Sequence, residues 1–211
     1  MKGSSVKNEQ IRDVIIESGL QLIPYVGGSI ATAYFGTKQE KRIARLESFY
    51  QEVAEQIENM QAQLAAIREH DEEYLVVIIE ELNEHVEREQ TAQKRTILKN
   101  YFINMLKQPI TADNFDEHRY FLGTIKAMSL LECDLIGWLY NQNRGHKISK
   151  ISITGIDPYA IAGAVQRLRQ YGFIISVTTQ ITVGAQVDNL LGDEVRLSDF
   201  GRKFYRYCIL F

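Results

Sequence analysis

Apolar residues recur at helical spacing along most of the chain, and the gaps between these runs divide it into elements. From about Lys7 to Ile23, Ile11, Val14, Ile15 and Leu22 share one side of a helix that Pro24 stops. Tyr25 to Gly28 then reads as a turn, with Ser29 suited to cap the next helix. That helix carries the most regular stripe in the sequence. Ile43, Leu46, Tyr50, Val53, Ile57, Met60, Leu64 and Ile67 keep the alternating three-four spacing of coiled-coil core positions. Unbroken from Ser29 to Glu69, it would be about 60 Å long. The stripe has two readings. It is either a stalk that joins copies of the chain, giving a homodimer or higher oligomer, or one half of a hairpin. In the hairpin it packs on a helix beginning at Asp71, whose own stripe is Leu75, Ile78, Ile79, Leu82 and Val86, with His70-Asp71 as the turn.

The stretch Glu87 to Arg95 lacks large apolar residues and places a boundary between a helical region at 1–93 and a second region at 94–211. Ile97, Leu98, Tyr101, Phe102, Met105 and Leu106 resume the helical pattern before Pro109. After a loop over Ile110 to Asn114, helices are expected at about Asp116 to Met128 and Leu130 to Asn143, with Leu131, Leu135, Trp138 and Leu139 in the core. The clearest local signal comes next. Asp157 can cap free N–H groups, Pro158 suits the first helical position, and Ile161, Val165 and Leu168 mark one face. Gly172 permits the left-handed residue that ends such helices. Phe173 to Val177 and Val195 to Leu197 are β-prone, and an amphipathic helix from Ser198 to Leu210 closes the chain. This order looks like a winged-helix domain. The fold class is therefore mainly α: an N-terminal helical hairpin or coiled coil, then a C-terminal winged helix with a small β-wing.

Charge separates the two regions. Met1 to Gln93 holds 9 basic against 17 acidic side chains, and the remainder 15 against 10, within a net charge of -3. The basic surplus of the second region is well short of the footprint of most nucleic-acid binders. The 2 cysteines, Cys133 and Cys208, lie on apolar helical faces and read as reduced core thiols of a cytoplasmic protein. No secretory leader pattern opens the chain. Ser18 to Thr37 carries no charge and is flanked by Lys38, Lys41, Arg42 and Arg45. Its length is near the roughly 20 residues that span a bilayer. With Gly28, Thr32 and Gly36 at every fourth position, the segment Gly19 to Gly36 is a candidate for membrane association, or a glycine-rich hairpin packed inside the protein.

Catalytic chemistry finds no support in the spacing. Glu80, Glu81, Glu84, His85, Glu87 and Glu89 lie close together, but a Glu-x-x-His pair would need an acid where Leu82 stands, so the cluster reads as a solvated helix face. His70, His118 and His146 have polar neighbours and no partner at metal-ligand spacing. Phosphate loops, nucleophile elbows and zinc-protease helices are absent. The sequence thus predicts a non-enzyme without cofactor or metal. For a macromolecular partner the candidate contacts are Tyr159, Gln166, Arg167, Arg169 and Gln170 on the capped helix, with Lys147 and Lys150 nearby. The wing, Thr178 to Glu194, contains no Lys or Arg but does contain Asp188, Asp193 and Glu194, and the leading end of the helix is small and apolar. Both features favour a protein partner over nucleic acid; the alternatives are a membrane-active effector that inserts its glycine-rich N-terminal hairpin and a DNA-binding transcriptional regulator.

In the order Lys99-Asn100-Tyr101-Phe102-Ile103-Asn104-Met105-Leu106, then Phe115-Asp116-Glu117-His118-Arg119-Tyr120-Phe121-Leu122, then Met128-Ser129-Leu130-Leu131-Glu132, the chain resembles bacterial proteins grouped as abortive-infection alpha-like. It is similar in the same way to prophage or phage-defence proteins with a winged C-terminus. The resemblance covers about half the chain and implies a non-enzymatic protein that acts through partners or membranes.

Overall fold

The computed structural model describes residues 41–42, 44–53, 55–56, 70–142, 144–177 and 190–210. The segment Gly19 to Gly36, the stripe positions Ile43, Ile57, Met60, Leu64 and Ile67, and most of the wing lie outside the described residues. The chain divides into two compact units, Met1–Lys126 and Ala127–Phe211. The run at 87–95 that lacks large apolar residues therefore falls inside the first unit.

In the first unit helical residues at 41–42, 44–53 and 55–56 precede α1 (Glu72–Arg88), α2 (Ala92–Met105) and α3 (Ala112–Ala127), whose last residue begins the second unit. Asp71 starts α1 by accepting the Glu73 N–H on its carboxylate, at 3.1 Å. The residue before it, His70, is buried, and its Nδ1 accepts the Ile110 N–H at 3.2 Å. The described part of the stripe is consumed by this chain's own core: Leu46, Tyr50 and Val53 are all buried. Tyr50 donates its hydroxyl to Asn83 Oδ1 on α1 at 2.6 Å and sets its ring edge-on to Phe102 on α2. Arg45 Nε donates to the Glu87 carbonyl at 2.8 Å, and Lys99 reaches Glu52 at 2.8 Å. Burial of the Tyr50 hydroxyl raises its pKa above the ordinary phenol value, and the Asn83 bond only partly offsets this. Helix α3 starts earlier than the sequence suggests. Asn114 Oδ1 accepts the Thr111 N–H at 2.9 Å while its amide donates to the Pro109 carbonyl, so a residue typical of loops closes the first helical turn.

The second unit is a small antiparallel sheet with helices. Helix α4 (Leu130–Tyr140) leads to β1 (His146–Lys147), a single 3₁₀ turn at Ile148–Lys150, α5 (Pro158–Gln170), β2 (Ile174–Val177), β3 (Glu194–Leu197) and α6 (Asp199–Phe204). The sheet order is β1-β3-β2, with His146 opposite Val195 and Ser176 also opposite Val195 from the other side. Helix α6 runs on as a π-helical turn over Tyr205–Ile209, sealed by Leu210 N–H to the Tyr205 carbonyl at 2.8 Å. Leu135 and Leu139 are core residues, whereas Leu131 and Trp138 are half-buried and Trp138 sets its ring edge-on to His146 at 5.1 Å. Phe173 stacks on Phe204 at 4.4 Å between centroids. The close approach behind that stack depends on Gly201, which lies against the Phe173 backbone.

Mainly helical structure with a small three-stranded antiparallel sheet is thus the architecture. Among the described residues no helix is long and apolar enough to cross a membrane.

Candidate functional site

Helix α5 carries most of the residues that the sequence marks for contact. Asp157 accepts the Tyr159 N–H at 2.7 Å, Pro158 occupies the first turn, and Gly172 ends the segment at φ +72°. Ile161, Ala164, Val165 and Leu168 turn inward and are buried. The opposite side presents Tyr159, Ala160, Gly163, Arg167 and Gln170 to solvent, with Tyr159 57% exposed and the preceding Ile156 37% exposed. A Cβ placed on Gly163 would meet nothing within 4 Å, so the backbone here is open to close approach.

The two arginines of α5 face a different task from the one their position on the helix suggests. Arg167 Nε lies 2.9 Å from Glu132 Oε1, and its Nη2 donates to the Ala127 carbonyl at 2.8 Å. The Tyr171 hydroxyl first, and the Glu132 carboxylate second, raise the pKa of Arg167 further above its ordinary value. Glu132 is buried and closes a capping box at the start of α4: it accepts from the Ser129 N–H at 2.6 Å, while Ser129 Oγ accepts from the Glu132 N–H. Arg169 bonds to Ser176 on β2, to Asp193 at 3.0 Å and to Gln166 Oε1 at 3.2 Å. Both arginines therefore tie α5 to its neighbours within the unit, and Gln166 is engaged by one of them.

Lys147 and Lys150 come together with Arg144 and His146 around an open hollow of about 510 Å³, which Gly145 and Glu194 also line. Only the two lysines stand out as contacts by their place near α5, although Arg144-Gly145-His146-Lys147 is a visible basic run. Glu194 sits against Gly145 and brings a negative charge into the hollow.

The acidic cluster of the first unit is divided among partners. Arg119 Nε donates to Glu81 at 2.9 Å, and Arg88 pairs with Glu84 at 3.7 Å. No group of three or more potential ligands that could hold a metal occurs among the described residues. His118, despite its polar neighbours in sequence, is buried on α3, and its carbonyl accepts the Tyr101 hydroxyl at 3.1 Å. His85 is half-buried with its Nδ1 inaccessible and unpartnered. Burial, and then the Lys126 charge, push its imidazole down to about 4; Arg88 adds to the fall, while Glu81 and Glu84 oppose it. A histidine held below its unfolded value is neutral when folded, so the unfolded chain binds the extra proton first. Stability should therefore decline as pH falls through the window from about 6.5 to about 4. Urea midpoints across that window, in phosphate-free buffer, should show the loss in the wild-type chain and a shallower slope in His85→Gln.

No family model matches the chain, and comparison with curated proteins and with solved structures finds no match either.

Proposed function

We propose that the second unit is a winged-helix module without catalytic activity, which docks a protein partner through the solvent face of α5. Support for the fold reading comes from the order α4, β1, α5, β2, β3 and from the antiparallel sheet order β1-β3-β2. The observation that carries the functional reading is the engagement of Arg167 and Arg169 by Glu132, Ser176 and Asp193. A helix that reads nucleic acid needs basic side chains directed at phosphates and bases. Here those charges are satisfied within the fold, and the leading face offers Tyr159, Ala160, Gly163 and the adjoining Ile156. An exposed tyrosine beside small residues suits a protein interface, where aromatic anchors supply much of the affinity.

A second reading, nucleic-acid binding, is favoured by the hollow lined by Arg144, His146, Lys147 and Lys150. Fluorescence anisotropy with a labelled random duplex separates the two. The protein-docking reading expects no saturable binding at physiological salt and only weak binding at low salt. Tight binding that weakens steeply with salt, and falls further in Lys147→Ala/Lys150→Ala, would instead establish the second reading.

A further inference from the structure

A small cavity of about 90 Å³ lies in the first unit beside His85, lined by Arg88, Glu89, Lys94 and Lys126 together with Leu98 and Ile125. Its charge is uneven. Three cations from α1, α2 and α3 converge on it, and the single carboxylate among the lining residues already has partners of its own. Glu89 Oε1 accepts the Thr91 N–H at 2.8 Å and the Thr91 hydroxyl at 2.7 Å, and its Oε2 lies 3.6 Å from Lys94. Burial pushes the Glu89 carboxyl up, but these bonds and the Lys94 charge outweigh it and leave the group below its ordinary value, hence ionised. Lys94 is itself only 11% exposed and donates to the Lys126 carbonyl at 3.0 Å. His85 lines the cavity as well, with its Nδ1 shielded from the open space.

We propose that this cavity binds a single oxyanion of the phosphate type, held by Arg88, Lys94 and Lys126, with the His85 imidazole beside it as a reporter of the bound charge. The volume admits one such group. Charge-assisted bonds from lysine and arginine would supply most of the affinity. Once bound, the anion would offset the repulsion that Lys126 and Arg88 exert on the His85 cation, against the opposing fields of Glu81 and Glu84.

The test is an NMR titration of the full chain, following the His85 imidazole identified by comparison with His85→Gln, with sodium phosphate against sodium chloride of equal ionic strength. Phosphate should give a saturable shift that chloride does not, and should raise the His85 pKa by about one unit. Lys126→Ala and Arg88→Ala change exposed residues that leave the core intact, and each should weaken the response by about tenfold. A parallel arm with phosphatidic acid vesicles, controlled by phosphatidylcholine vesicles, identifies the source. A response to phosphate indicates a free anion, and a response only to phosphatidic acid indicates a lipid headgroup. No response in either arm, or an undiminished response in both variants, would overturn the site.

Discussion

Gly201→Ala is expected to destabilise the second unit by about 3 kcal/mol, a large loss for the addition of one methyl group. The new Cβ would lie about 2.3 Å from the Phe173 carbonyl oxygen and 2.9 Å from the Phe173 Cα. Neither atom can yield as a flexible side chain would, because both belong to the backbone that leads into β2. Ser198 N–H donates to the same Phe173 carbonyl at 2.9 Å, and Phe173 stacks on Phe204. Moving α6 away to relieve the overlap would therefore break a hydrogen bond and open the centre of the core. Gly163→Ala is the matched control. It lies in open space on α5, and replacing a helical glycine by alanine should stabilise by about 0.5–1 kcal/mol. Chemical denaturation of the full-length chain followed by near-ultraviolet circular dichroism should show the two substitutions moving the midpoint in opposite directions.

The second large effect concerns Glu132. Its side chain is 1% exposed, yet it closes the capping box of α4 and lies beside the Arg167 guanidinium. Removing it in Glu132→Ala takes away the acceptor of the part-buried Ser129 N–H and the counter-charge of Arg167 at once. Because the Arg167 side chain is 50% exposed, water recovers part of that second loss. The expected cost is about 2–3 kcal/mol, most of it from the charged hydrogen bonds of the cap. Glu132→Gln keeps the shape and one acceptor, and should lose only about 1 kcal/mol. Equal losses in the two variants, measured by urea denaturation, would show that packing rather than capping is the role of this side chain.

Local signals were legible where the chemistry is local. Asp157, Pro158, the spacing of Ile161, Val165 and Leu168, and Gly172 describe α5 almost completely, since caps, helical faces and left-handed turns are decided within a few residues. The stripe through Leu46, Tyr50 and Val53 correctly marks buried positions, but periodicity alone does not say what covers them. Tyr50 finds its partner in Asn83, which is 33 residues further on. The roles of the α5 arginines were hidden for the same reason. Arg169 meets Asp193 across 24 residues and Arg167 meets the capping acid of α4, so two side chains that look like free contacts on a helical wheel serve the fold. The cavity at His85 was equally invisible. Its cations arrive on three helices, and the sequence places only the acidic members of the neighbourhood side by side.

The most direct test of the account places a benzophenone amino acid at Tyr159 and, separately, at the exposed Arg196 on β3, and irradiates cells that make the full-length chain. A docking face on α5 should give a discrete protein adduct from position 159 that position 196 does not give and that a second substitution, Gly163→Asp, removes. Crosslinking of position 159 to nucleic acid, or identical adducts from both positions, would contradict it.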